Sequence, residues 1–153
     1  MNFLICICTY KRNNSLLECI RSIEKLNFIN KCEINILILD NTINNNSQKI
    51  LKEIKKTKLN IYHLNEKKRG IVYARNKCLL SAKEFDPDYL AFIDDDAYPS
   101  CNWLDVAHRV LSSRNDLGAI GGPGITPKAD PFWARVSGAV FLNPKGNAFQ
   151  NTF

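Results

Sequence analysis

The feature that most constrains the fold is an apolar run that leads directly into three consecutive carboxylates. Residues 89–93 are mostly apolar, and a short continuous run of this kind is typical of a strand covered on both faces of a sheet. Asp94, Asp95 and Asp96 follow where that strand leaves the sheet. Adjacent acids repel one another unless a cation neutralises them, and close carboxylates suit Mg²⁺ or Mn²⁺ together with substrate phosphates. A solvated acidic turn is the alternative interpretation.

Strand and helix patterns alternate through most of the chain. The apolar runs predict strands at 3–8, 33–40, 59–64 and 89–93, each followed by a helix. This alternation predicts right-handed crossovers and therefore an α/β fold with a mostly parallel sheet and helices on both faces.

The first and third helices carry more detailed predictions. Ser15 to Glu18 has the form of a capping box, which predicts that the first helix begins there. On the third helix the spacing predicts that an apolar face turns inward, formed by Ile71, Ala74, Cys78, Leu79 and Ala82.

The pattern weakens after the fourth helix. Residues 117–124 predict a short strand and a glycine turn, 127–133 a loop, and 136–142 one more strand. Because the sequence has no repeat, low-complexity segment or linker, we predict one domain over residues 1–153.

Charge and cysteine content narrow the function classes. The net charge of +6 permits binding to phosphates, nucleic acid or an anionic membrane, but the basic residues are scattered and no nucleic-acid-binding motif is present. Lys67, Lys68 and Arg69 form the one dense basic run.

No apolar run is long enough for a membrane span or a secretory signal, and six cysteines without a CxxC pair indicate reduced thiols. We therefore expect a cytoplasmic protein, with association at the cytoplasmic face of a membrane left open.

Polar residues follow each predicted strand. They are Thr9 and Tyr10 after the first strand, Asp40 after the second, Arg69 and Gly70 after the third, and Asp94 to Asp96 after the fourth. Since parallel strands end at the same edge of a sheet, we expect all of them to face one crevice, where ligands bind in open α/β sheets.

This ordered set resembles the N-terminal, nucleotide-sugar-binding part of family-2 glycosyltransferases, which have the GT-A fold. The resemblance covers residues 3–125, and its motifs are 8–12, 39–41, Gly70 with 74–76, 92–96 and 121–123. It implies a Rossmann-like sheet and an inverting, metal-dependent transferase of polysaccharide biosynthesis. The implied sugar donor is a nucleotide-diphosphate sugar, with UDP-sugars favoured, the acceptor is a glycan or a lipid-linked molecule, and the cofactor is Mn²⁺ or Mg²⁺.

The resemblance also implies roles for the residues at the strand ends. Thr9 and Tyr10 would contact the base and ribose, and Asp40 would accept a hydrogen bond from the base ring N–H. Asp94 would bind the ribose or a metal-bound water, and Asp96 would ligate the metal.

Four further residues would line the site for the nucleotide. Asp95 is the variable middle position of the acidic motif, and of the three acids it is the one whose role the resemblance supports least. Gly70, Arg75 and Asn76 match the motif at the start of the third helix. Arg75 could bind phosphate as a planar fork, and a structural ion pair with one of the acids is equally compatible with the sequence.

The sequence departs from the family at the catalytic base, which normally lies on a helix beyond the region matching 137–139. After Asp105 the only acids are Asp116 and Asp130, and neither has that context. We therefore expect a truncated product, an excised fragment or half of a split enzyme that has a C-terminal partner chain. The alternative function is a nucleotide- and metal-binding fragment without turnover.

Overall fold

A mixed sheet with helices on both faces forms the body of the protein in a computed structural model, which describes residues 2–27, 32–54, 57, 59–114, 116–122 and 140–142. The strands are β1 (Asn2–Thr9), β2 (Glu33–Asp40), β3 (Asn60–Asn65), β4 (Tyr89–Asp94), β5 (Ala119–Gly121) and β6 (Val140–Leu142). The helices are α1 (Asn13–Ile23), α2 (Ile71–Phe85) and α3 (Trp103–Ser113), with a 3₁₀-helix over Asn46–Lys52.

The strand order in the described sheet is β3-β2-β1-β4-β6-β5. The first four strands are parallel, whereas β6 runs antiparallel to both β4 and β5. The predicted mostly parallel sheet is thus confirmed. The register pairs Thr9 with Asp40 and Cys8 with Asp94, so the carboxyl ends of β1, β2 and β4 lie level with one another.

Two hydrophobic layers cover the central strands because the side chains of β1 alternate between the faces. Phe3, Ile5 and Ile7 pack on the face covered by α1 and α3, and Leu4 and Cys6 pack on the face covered by α2. Helices on both faces are therefore confirmed. Among the described residues, no helix has both the length and the apolar character needed to cross a bilayer.

One prediction about a helix start and one about a helix type were wrong. α1 begins at Asn13 rather than at Ser15, and its N-cap residue Arg12 makes no side-chain capping bond. The amide of Leu16 already donates to the carbonyl of Arg12 at 3.0 Å, so Ser15 lies inside the first turn and cannot cap it. The second predicted helix is a seven-residue 3₁₀-helix.

The inward face predicted for α2 was only partly correct. Ala74 and Cys78 are buried against the sheet, but Ile71 and Leu79 are exposed. Ala74 and Cys78 lie one turn apart on the side of the helix that faces the sheet, whereas Leu79 is turned about 100° away from Cys78. The predicted loop at 127–133 and strand residues 136–139 lie outside the described residues.

Candidate functional site

The carboxyl ends of β1, β2 and β4, with the loop 66–70, form one edge of the sheet, which we call the rim. The amide of Asn41 donates to the carbonyl of Thr9 at 2.9 Å, and the hydroxyl of Thr9 donates to Asp95 Oδ2 at 2.7 Å. Three separate strand ends are thus linked directly. The structure brings together the residues that the sequence analysis placed in one crevice.

The middle carboxylate of the acidic triplet, Asp95, faces inward. It is only 5% exposed, and its second oxygen lies 3.3 Å from a guanidinium nitrogen of Arg12. Burial raises the pKa of Asp95, while the hydrogen bond from Thr9 and the charge of Arg12 act in the opposite direction. Asp95 therefore fastens β4 to β1 and to the turn that follows β1.

The outer two carboxylates face solvent and each has an arginine partner. The side chains of Asp94 and Asp96 are 61% and 55% exposed. Asp94 pairs with Arg75 at 3.2 Å, and Asp96 pairs with Arg12. The ion pair that the sequence allowed for Arg75 is therefore present, and the guanidinium also lies at the rim.

The outer pair could hold a divalent cation. Both side chains are accessible hard-oxygen ligands, one at the last residue of β4 and the other two residues further along in the turn, and Mg²⁺ is usually held by one or two carboxylates together with substrate phosphates and water. Among the residues that the structure describes, no group of three or more His, Cys, Asp or Glu side chains is placed to hold a metal. Two carboxylates would leave the other coordination positions of such a cation to the phosphates of a ligand and to water.

Asp40 is buried at the end of β2 and organises the turn that follows. Its side chain accepts the amide of Thr42 at 2.9 Å on one oxygen, and both the amide and the hydroxyl of Ser47 at 2.8 Å on the other. Burial acts to raise the pKa of Asp40, but these hydrogen bonds outweigh it and lower the pKa. Since Asp40 is 1% exposed, a nucleotide base could reach it only as an additional partner of a carboxylate that is already engaged.

His63, to which the sequence assigned no role, supports the same turn. Its Nε2 lies 2.7 Å from the hydroxyl of Ser47, which links β3 to the partner of Asp40. Burial lowers the pKa of His63, and the charge of Asp40 opposes that effect. A neutral imidazole is therefore favoured beside the Ser47 hydroxyl.

Asn41 belongs to the motif 39–41, for which the resemblance implied a role only at Asp40. In the structure it holds the basic loop to the rim. Its side-chain amide donates to the carbonyls of Glu66 and Lys68 at 2.8 Å each, and its side-chain oxygen accepts the amide of Gly70 at 2.8 Å. An asparagine can donate twice and accept at once, so one side chain matches three backbone groups of the loop. The carbonyls that it contacts lie 25 and 27 residues away, and no local pattern indicates them.

The loop held by Asn41 brings cations and aromatic rings together at the rim. The guanidinium of Arg69 lies 5.3 Å from the ring centroid of Tyr10, and the ammonium of Lys68 lies 4.0 Å from that of Tyr73. Gly70 has a φ of 133° at the start of α2, a backbone conformation that residues with a side chain rarely adopt. Tyr10 stays partly exposed, and Asn76 is exposed on α2.

The family of the chain follows from comparison with known proteins. The family model "Glycosyl transferase family 2" matches residues 4–152. The chain belongs to this family. A curated relative is the succinoglycan biosynthesis protein ExoM of Rhizobium meliloti (strain 1021), with 28% identity over 114 residues. That match covers 74% of this chain and 35% of ExoM, so the chain spans about a third of the relative's length.

Solved structures match the fold of this family-2 glycosyltransferase chain. The mannosyltransferase PcManGT from Pyrobaculum calidifontis, in complex with GDP-Man and Mn²⁺, has a TM-score of 0.72 at 17% identity, covering 94% of this chain and 44% of PcManGT. Residues 1–349 of S. aureus TarS give a TM-score of 0.67 at 16% identity, covering 94% of this chain and 48% of that fragment. The fold is the GT-A fold that the motifs implied.

Asp105 and Asp116, the two described acids that follow the acidic triplet, each pair with an arginine. Asp105 lies 4.0 Å from Arg109 on α3, and Asp116 receives two bonds from Arg114, at 2.8 and 2.7 Å. The hydrogen bonds from Arg114 lower the pKa of Asp116 to about 2, which makes it a poor proton acceptor. Asp130, the remaining acid of this part of the sequence, lies outside the described residues.

Proposed function

We propose that the rim binds a nucleotide-diphosphate sugar, with UDP-sugars favoured, and that the chain serves the metal-dependent, inverting transfer of the sugar to a glycan or lipid-linked acceptor. The observation that carries the proposal is the arrangement of the acidic triplet. Two exposed carboxylates flank a buried one at the carboxyl end of β4, with Arg12 and Arg75 beside them.

The chemistry of a diphosphate leaving group matches these residues. When a sugar departs, negative charge builds on the diphosphate, and a bound Mn²⁺ or Mg²⁺ would stabilise that charge as a Lewis acid. Asp94 and Asp96 would hold the cation. Arg75 and the loop cation Arg69 would add positive charge on the side of the diphosphate, where a planar guanidinium can donate two hydrogen bonds.

The nucleoside would lie toward the ends of β1 and β2. Tyr10 offers a partly exposed ring there, and Asp40 is the predicted partner of the base ring N–H. Thr9 is 4% exposed, and its hydroxyl is committed to Asp95, so its contribution to binding would come through the position of Asp95. Related folds support this class of ligand, because PcManGT was solved with GDP-Man and TarS with UDP.

The test is a calorimetric titration of the chain with UDP and with GDP, each with and without Mn²⁺. We expect nucleotide binding that depends on the metal, and its loss in Asp96→Ala. Asp116→Ala is the matched control because it also removes an exposed aspartate that pairs with an arginine. If neither nucleotide binds in the presence of metal, or if both variants lose binding equally, the proposal is wrong.

A second candidate function is nucleotide and metal binding without turnover, and the ion pairs of Asp105 and Asp116 favour it. Incubation with UDP-sugars and Mn²⁺, followed by chromatography of released UDP, separates the two functions. Consumption of the sugar donor supports the enzyme, whereas binding without consumption supports the second function.

Association with the cytoplasmic face of a membrane also belongs to the proposal. Val72, Leu79 and Leu80 are exposed within about 100° of one another around α2, and Lys67 and Lys68 precede this helix at the rim. Such a surface suits anionic lipid. Cosedimentation with anionic vesicles that falls in Leu80→Asp supports the association, and equal sedimentation with neutral vesicles contradicts it.

A further inference from the structure

Arg12 bridges two of the three carboxylates at the rim. One guanidinium nitrogen lies within hydrogen-bonding distance of both Asp96 Oδ2 and Asp95 Oδ1. Asp95 is buried and held by Thr9, so this carboxylate gives the guanidinium a fixed partner. Asp96 is exposed, so another cation could replace Arg12 as its partner.

The backbone sets Arg12 in this position. Lys11 has a φ of 58°, a left-handed conformation that non-glycine residues seldom adopt. This turn directs the chain from β1 into α1, and the carbonyl of Arg12 accepts the first helical bond from Leu16. Arg12 is thus anchored by its main chain while its exposed side chain is free to change partners.

We propose that Arg12 neutralises Asp96 in the metal-free protein and is displaced from it when the divalent cation binds. The inference rests on the proposed function, because it assigns Asp96 to the metal. When the metal binds without nucleotide, Arg12 competes with it for Asp96. When metal and nucleotide bind together, Arg12 is released from Asp96 and pairs with the diphosphate. Arg12 thereby couples the two binding events.

The charge balance at the rim supports this coupling. Three carboxylates stand against the guanidiniums of Arg12 and Arg75, which leaves one negative charge. A divalent cation alone reverses that charge, and a diphosphate with two negative charges restores it. Metal and diphosphate are therefore favoured as a pair, and each is less favoured alone.

The first experiment measures Mn²⁺ affinity without nucleotide, from the electron paramagnetic resonance signal of free Mn²⁺. We compare the wild type with Arg12→Gln, the charge-retaining Arg12→Lys, and Arg114→Gln. Arg114 also pairs with an exposed aspartate, but it follows the end of α3, where Ser112 Oγ lies 3.3 Å from Tyr89 Oη at the start of β4, and so it lies at the opposite edge of the sheet. A melting curve of each protein confirms folding.

We expect Arg12→Gln to bind Mn²⁺ about 3- to 10-fold more tightly than the wild type, since an ion pair between exposed groups competes only modestly. Arg12→Lys and Arg114→Gln should stay close to the wild type. Weaker or unchanged binding in Arg12→Gln would overturn the inference, because a guanidinium that merely scaffolds the site cannot compete with the metal. Tightening of the same size in Arg12→Lys or Arg114→Gln would also overturn it.

The second experiment repeats the titration at saturating UDP, and a titration without protein gives the Mn²⁺ that UDP itself binds. In the wild type UDP should tighten Mn²⁺ binding by a larger factor than in Arg12→Gln, which lacks the released guanidinium. Equal factors in the two proteins would contradict the inference and leave the proposed function intact. Failure of every protein to bind Mn²⁺ with UDP would instead remove the proposed function, and the inference with it.

Discussion

The substitution Asn41→Asp tests how the rim holds its basic loop. It keeps the shape of the side chain but exchanges its NH₂ group for an oxygen. The carbonyls of Glu66 and Lys68, now bonded at 2.8 Å, would lose their donor and face a carboxylate. The bond from the amide of Gly70 would remain.

The expected magnitude follows from these contacts. A typical hydrogen bond contributes about 0.5–1.5 kcal/mol net, and a buried group left unpaired costs about 1–3 kcal/mol. Asn41 is 7% exposed, but Lys68 is exposed and water can reach part of the loop. We therefore expect Asn41→Asp to lower the free energy of unfolding by about 2–3 kcal/mol.

Urea unfolding measures this loss, and titration with UDP and Mn²⁺ measures its effect on the site. Since Arg69 belongs to the loop, we expect nucleotide affinity to fall as well. Asn44→Asp is the control, because it makes the same charge change at an exposed position in the turn after β2 and should alter stability by at most about 0.5 kcal/mol. If both variants unfold at the same urea concentration, the assigned role of Asn41 is wrong.

Three further predictions concern the same edge. Thr9→Val removes the 2.7 Å bond to Asp95 and should lower the free energy of unfolding by about 1–3 kcal/mol in urea unfolding, whereas a change near zero would mean that the bond contributes nothing. Gly70→Ala places a residue with a side chain at a backbone φ of 133° and should lower the free energy of unfolding by about 1–3 kcal/mol, which is measured as a lower melting temperature. An unchanged melting temperature would mean that this backbone conformation causes no strain. The lowered pKa of Asp40 means that its hydrogen bonds contribute stability above the ordinary value of 3.8, and that this contribution is lost as the pH falls through the folded-state pKa. Ser47→Ala should therefore destabilise the protein near pH 7 and converge with the wild type in acid, and a difference that is constant with pH would refute this.

The fold followed from the sequence because backbone geometry alone determines where parallel strands end. The apolar runs of β1, β2 and β4 predicted buried parallel strands, and their polar ends meet at one edge, as expected. Local helix signals were less reliable. The apparent capping box at Ser15 failed because the turn at Lys11 starts α1 two residues earlier.

The site could be predicted only in part, since its details depend on contacts across the chain. The sequence marked Asp94 to Asp96, but it did not show that Asp95 is the buried member, because that follows from Thr9, 86 residues away. The bridge from Arg12 and the clamp formed by Asn41 were missed for the same reason. Their partners are brought close by the sheet and not by spacing in the sequence.

The most direct test of the account is a crystal structure of the chain with UDP and Mn²⁺, with anomalous data that locate the manganese. We expect one manganese peak at the rim, with a carboxylate oxygen of Asp96 as one ligand and the diphosphate of UDP as a second ligand. Manganese bound elsewhere on the chain, or UDP bound away from the carboxyl ends of β1, β2 and β4, would contradict it.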